Sequence, residues 1–388
     1  MNHSTRLAAL GSAAVLSLAV YLGVAALRGP RPAVAARVCE ATWSVSLGAE
    51  ARELPHSLAA LRGEVWAVVV REGEGAQARI VRARDGRLHQ QVLTARADRP
   101  DALSPWITGH DGLHLVAGTA GEARVISPGS ADRVIALPRR DRAPSLAAAL
   151  AASGDVTLLA RWEGTPGARL LPGDDADWLA ASGAPEALAR TATRLTLDAI
   201  TLPGGAPALA TTLSSAPAGE GCAPGAWVSL RGATGAATAR ALVPASEARC
   251  GDAVRGVSWR GAKIAAVIDT AAGVRVVMGD VSTGAPAQVA LEPAGTRVLA
   301  ASAVHVDGAV LALWTTPGRD AIALRYRLFD DDGAPQGEPG ALGELLASPE
   351  GARASAMAAT ATGPREAAMA LATSHGPRLF QLRCGADR

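Results

Sequence analysis

The stretch from Ser302 to Gly337, SAVHVDGAVLALWTTPGRDAIALRYRLFDDDGAPQG, decides the fold. It divides into strands over Ala303 to Val306, Val310 to Thr315 and Ile322 to Phe329, separated by Asp307-Gly308 and Pro317-Gly318. A fourth strand is expected after Asp332-Gly333. Ile322, Leu324, Tyr326 and Leu328 alternate with polar residues, the period of a strand with one buried face, and each break carries residues that preset a turn. The unit is a four-stranded antiparallel meander.

The unit recurs. A glycine precedes an apolar strand at Gly63, Gly112, Gly154, Gly205, Gly261, Gly308 and Gly363, a spacing of about 50 residues, and a fixed period of this size marks solenoids, propellers or arrays. The strand before each glycine is poor in bulk, as in Leu146-Ala147-Ala148-Ala149, which suits crowded strands around an axis. One repeat departs from the pattern: after Asp174-Asp175, ADWLAASGAPEALARTA reads as helix and loop where a closing strand belongs.

Seven four-stranded units resemble the seven-bladed β-propeller superfold. The fold class expected is therefore all-β, with residues 38–388 forming the propeller. The last repeat supplies three strands only, and Glu40 to Leu47 has the alternation of a closing strand, so the N-terminal strand is expected to complete the last blade. No repeat carries a Trp-Asp pair or a kelch double-glycine pattern. Asp280-Val-Ser-Thr-Gly284 and Arg84-Asp85-Gly86 resemble turns of pyrroloquinoline-quinone-type propellers, but the adjacent cysteines of the catalytic members are missing. No cofactor is expected.

Residues 1–37 read as a signal peptide or signal anchor with a spacer. Leu7 to Leu27 holds no charge over 21 residues, enough to span a bilayer as a helix, while Ala33-Val34-Ala35 offers a cleavage site. Four cysteines behind such a segment point to two disulfides in an extracytoplasmic compartment, periplasmic or secreted. Cys39 would pair with Cys384 across the closing strands. Cys222 and Cys250 fall in loops on one face, where a bridge would pin Ser214 to Gly225.

A formal charge of +2 gives no reason to expect nucleic acid. Arginine is abundant and Lys263 is the single lysine, a skew read as coding bias rather than arginine chemistry. His110 and His114 have a helical zinc spacing but flank a hairpin turn, and Asp330-Asp331-Asp332-Gly333 lacks the distant glutamate of a calcium loop. Neither is read as a metal site. The sialidase box, the nucleophile elbow and the phosphate loop are all missing. The function expected is a non-catalytic scaffold binding a protein or surface polymer, with a membrane tether through residues 7–27. The alternative is an enzyme at the axial channel, hydrolase or quinoprotein-like. Its channel candidates are His56, Trp106, His110, Asp198, Trp259 and His305.

Overall fold

The computed structural model describes residues 37–386, apart from 49–52, 74, 100–101, 109–111, 128–130, 151–155, 163–167, 172–183, 193, 218, 220, 233–236, 319–321, 346–355 and 374. The expected signal or anchor segment lies outside the described residues. Among those described, no helix is long and apolar enough to cross a membrane.

The chain opens with β1 (Arg37–Ser46) and then lays down sheets in sequence. β2 (Glu53–Leu61), β3 (Glu64–Gly73), β4 (Gly75–Arg84) and β5 (Arg87–Ala97) form one four-stranded meander. The next comprises β6 (Leu103–Thr108), β7 (Gly112–Gly118), β8 (Glu122–Ile126) and β9 (Arg133–Ala136). A three-stranded sheet of β10 (Ser145–Leu150), β11 (Val156–Arg161) and β12 (Arg169–Leu171) follows, then the helix α1 (Glu186–Thr191). Four-stranded order resumes with β13 (Arg194–Thr201), β14 (Pro207–Ser214), β15 (Ala226–Gly232) and β16 (Ala237–Ala241). β17 (Ala253–Arg260), β18 (Lys263–Thr270), β19 (Gly273–Asp280) and β20 (Ala287–Pro293) repeat it, as do β21 (Ala300–Val306), β22 (Ala309–Pro317), β23 (Ile322–Asp330) and β24 (Gly340–Leu345). Last come β25 (Met357–Gly363), β26 (Glu366–Thr373) and β27 (Gly376–Ala386).

The last sheet has the order β1-β27-β26-β25, so the N-terminal strand is its outer member. The first strands β2, β6, β10, β13, β17, β21 and β25 touch one another in a closed circuit, which makes the molecule a β-propeller with these strands around its axis. Six blades have four antiparallel strands, not the seven expected. After β12 the chain enters residues 172–183, outside the described residues, and next appears as α1. Leu188 of α1 is fully buried beside Ala147, Leu159 and Leu213, so the helix fills space between two sheets.

Local chemistry accounts for the hairpins. Asp85 and Gly86 both take positive φ, 51° and 73°, in the two-residue link from β4 to β5, the combination that matches strand twist. Between sheets, side chains interdigitate: Val267, Val276 and Met278 of one sheet pack on Val310, Ala312 and Trp314 of the next. Each such aliphatic side chain contributes about 1.5 to 3 kcal/mol by burial. Near the axis there is little room. A Cβ at Gly256 would lie 2.8 Å from the Ser302 Cα, so β17 and β21 approach backbone to backbone.

Two disulfides form, one across the closing strands and one between neighbouring loops. Cys39 joins Cys384 with α-carbons 4.0 Å apart, and Cys222 joins Cys250 at 6.1 Å. The first separation is shorter than the 5.5 to 6 Å usual for disulfides because the two residues face each other directly across paired strands. Both bonds place the chain in an oxidising, extracytoplasmic compartment.

Candidate active site

Seven first strands around one axis leave a cavity of about 930 Å³. Each contributes to the wall, with Ser57 from β2, Leu103 from β6, Ala147 from β10, Asp198 from β13, Arg255 from β17, Ala300 from β21 and Met357 from β25. Small residues on several of these strands keep the space open. Its size lies in the range of small-molecule sites, roughly 300 to 1,000 Å³.

His56 reaches the cavity through a backbone irregularity. The β2–β3 register steps from Pro55↔Val69 to Ser57↔Val68, leaving His56 unpaired at a bulge, a device that re-aims a side chain. Arg255 occupies the corresponding place in β17, where the register steps from Val254↔Ile268 to Gly256↔Val267. His56 is open to the cavity yet deep within the ring. Burial lowers its pKa, aided by the nearby Arg194 charge and opposed by a hydrogen bond with the Leu103 backbone. The ring is therefore neutral at pH 7.

Asp198 lies midway along β13, opposite Ala210. Burial pushes its carboxyl up to about 6, against a hydrogen bond from Trp259 Nε1 to Oδ2 at 3.2 Å that favours the charged form. No arginine contributes to that balance. The carboxyl is thus poised for proton transfer near neutral pH.

The rim is cationic. Arg99, Arg161, Arg190, Arg194 and Arg255 all line the cavity. Arg255 pairs with Asp269 at 2.5 Å, and Arg190 pairs with Glu186 one helical turn away. Arg161 Nη2 donates to the Arg190 carbonyl at 2.7 Å, and Arg194 Nη1 to the Val254 carbonyl at 3.2 Å. Ser104, also in the wall, is committed to structure: its hydroxyl accepts from the Ala148 N–H at 2.8 Å.

The Cys222–Cys250 bond reaches this rim through Thr191. Its loop is tied down where Ser215 Oγ donates to the Asp252 carbonyl at 3.2 Å and Gly251 N–H to the Ala216 carbonyl at 2.7 Å. Ala223 N–H reaches Thr191 Oγ1 at 3.4 Å, and Thr191 lines the cavity.

Of the channel candidates, His56 and Asp198 share the cavity wall, and Trp259 is attached through its bond to Asp198. His305 is elsewhere. It is buried beside Arg260, Lys263 and Asp331, where burial and the Arg260 charge bring its pKa down to about 4. Trp106 sits on β6 opposite His114, with its side chain outside the described set, and His110 lies outside the described residues altogether. His114 Nδ1 lies 2.7 Å from Ser127 Oγ. Among the described residues no three His, Cys, Asp or Glu side chains gather as a metal site. The five arginines escaped the sequence reading because the Arg-for-Lys skew was assigned to coding bias. Three of them share a position in the blades, since Arg161 ends a second strand while Arg194 and Arg255 lie at the starts of first strands.

No family model matches the chain, and no curated protein matches it. Among solved structures it is similar to puromycin hydrolase, at 18% identity and a TM-score of 0.46 over 82% of this chain and 50% of that one. A puromycin-hydrolyzing peptidase of Mycobacterium tuberculosis is 16% identical at a TM-score of 0.45, over 86% of this chain and 52% of that one. The NanB sialidase of Streptococcus pneumoniae is 10% identical at 0.45, over 87% and 69%. The chain spans half the length of puromycin hydrolase and 38% of a prolyl endopeptidase it also matches. At these identities the likeness is one of fold. The expectation of a non-catalytic binding scaffold is corrected. It stood on the absence of any gathered chemistry, whereas the ring places the Asp198 carboxyl and the neutral His56 imidazole in the wall of one cavity.

Proposed function

We propose that the chain is an enzyme acting at the axial cavity, a hydrolase of a small ester- or amide-like substrate. The observation that carries this is the joint placement of Asp198 and His56 in the wall of one cavity of about 930 Å³. Asp198 transfers the proton. Its ionised carboxylate takes a proton from water as the water oxygen attacks the scissile carbon, and the acid so formed returns that proton to the leaving atom. One bond to the leaving group breaks, one carbon–oxygen bond forms, and Asp198 ends as it began. A pKa of about 6 suits this work because the base is free at pH 7 without being weak. His56, neutral, offers the substrate a ring nitrogen as hydrogen-bond partner. The same reading takes the ring as seven-bladed, with the three-stranded sheet in third place, since the seven first strands close a circuit.

The test is turnover by the purified full chain on chromogenic esters, amides and glycosides. Hydrolysis that rises with pH through about 6, and falls at least a hundredfold in Asp198→Asn while thermal unfolding stays cooperative, is the expected result. Absence of turnover across the panel, or turnover indifferent to both Asp198→Asn and His56→Ala, overturns the proposal.

A further inference from the structure

We infer that the axial cavity binds an oxyanion, so that the substrate carries a carboxylate or phosphate held at the arginine rim by Arg161 and Arg194. The inference rests on the enzyme reading for the word substrate, and on charge and geometry for the anion itself.

Among the described residues, five guanidinium groups and one carboxylate line this cavity, in a chain whose formal charge is only +2. The excess is local. The five come from separate elements: the segment after β5, the end of β11, helix α1, the start of β13 and the bulge of β17. Arg161 stands opposite Ser145 and Arg194 opposite Ser214, at strand ends nearest the inter-sheet connections. Asp198 is four residues along β13 from Arg194, roughly 13 Å of strand away.

The charges at the two ends do not satisfy one another. Arg161 is half-buried and Arg194 is open to the cavity; withdrawal from bulk water lowers the pKa of both, and the Arg255 charge lowers that of Arg194 further. Among the described residues neither guanidinium meets a carboxylate; each spends one N–H on a backbone carbonyl, out of five it carries. A partly desolvated cation is costly unless paired, and the planar fork of arginine matches the two oxygens of a carboxylate or phosphate. A bound oxyanion supplies the missing counter-charge. The cavity then has a cationic mouth for an anionic head and a separate carboxyl, Asp198, for the reacting bond. The substrate class is an acid whose scissile group lies several bonds from its charge.

Calorimetric titration of the full chain with inorganic phosphate and with succinate, against glycerol as the neutral control, reads the site without turnover. The expected result is one binding event for at least one anion and none for glycerol, weakening at least tenfold from 50 to 500 mM salt. Affinity should fall at least tenfold in the Arg161→Gln, Arg194→Gln pair, remain in Arg124→Gln on the exposed surface, and fall less in Arg194→Lys, which retains charge without the fork. Phosphate-only or succinate-only binding identifies the group. No binding of either anion, or equal affinity in the wild type, the double variant and Arg194→Lys, overturns the inference. Anion binding without hydrolysis of any substrate would refute the enzyme reading alone. Hydrolysis of anionic substrates with unchanged KM in the arginine variants would refute this inference alone.

Discussion

Cys39 and Cys384 form a narrow pair across the strands that close the ring, because neither backbone N–H points at the other. Cys39 N–H donates to Tyr326 Oη at 3.0 Å and Cys384 N–H to the Arg365 carbonyl at 2.8 Å, leaving a pair with α-carbons 4.0 Å apart. The bond closes a loop of 345 residues, worth about 6 kcal/mol at most in the chain-entropy picture. Thermal unfolding under non-reducing conditions should drop markedly in Cys39→Ala, Cys384→Ala. An unchanged midpoint would show that the β1–β27 ladder holds without it.

Gly340 lies opposite Tyr326, and a Cβ there would come within 2.3 Å of the ring. Tyr326 has no easy escape because its hydroxyl holds Cys39. Gly340→Ala should therefore cost about 2 kcal/mol or more, as overpacking does, and Gly340→Ala combined with Tyr326→Phe should recover only part. Denaturant midpoints for the two variants measure this.

Asp198 and His305 push stability in opposite directions with pH. Asp198 is raised in the fold, so its favourable contribution is whole below the ordinary carboxylate range and is lost as pH rises through about 6. His305 is depressed, so its contribution is whole above the ordinary imidazole range and is lost as pH falls through about 4. Each amounts to at most about 3 kcal/mol, and less for Asp198 because it opens on the cavity. Relative to wild type, Asp198→Asn should gain stability between pH 4 and 7, and His305→Gln should gain it as pH falls from about 6.5 toward 4. Parallel pH profiles for all three proteins would refute both assignments.

Trp259 supports the ionised form of Asp198 through its Nε1–H. In Trp259→Phe that support is gone, so the carboxyl should titrate above about 6. Carbon-13 titration of the Asp198 carboxyl is the direct measurement, and a midpoint at or below the wild-type value would sink the assignment.

The ring was legible in the sequence where its signal is local. The alternation of Thr42 to Leu47 marked a strand lacking a repeat of its own, and pairing it with the last blade brought Cys39 to Cys384. The expectation of four strands in every blade was overreached at one place, where the run after Asp174 already lacked strand character. The cavity was harder to see, since its wall is shared among seven strands spread over about 300 residues, and no local window holds His56 and Asp198 together. Bulges hid it further. A shifted register between Pro55 and Ser57 turns His56 inward, and nothing in the alternation of β2 announces the shift.

The closing strand also sets an order of events. β1 emerges first during synthesis but has no partner until β27 exists, which at about 5 to 20 residues per second is a wait on the order of tens of seconds. Through that interval Cys39 is a lone thiol, and the first cysteines to join it are Cys222 and Cys250, only 28 residues apart from each other. Short loops close sooner than long ones, so the nearer pair can seal itself before Cys384 arrives and withdraw both thiols from exchange. The rim disulfide thereby protects the ring-closing one: by pairing early, it leaves Cys39 a single correct partner.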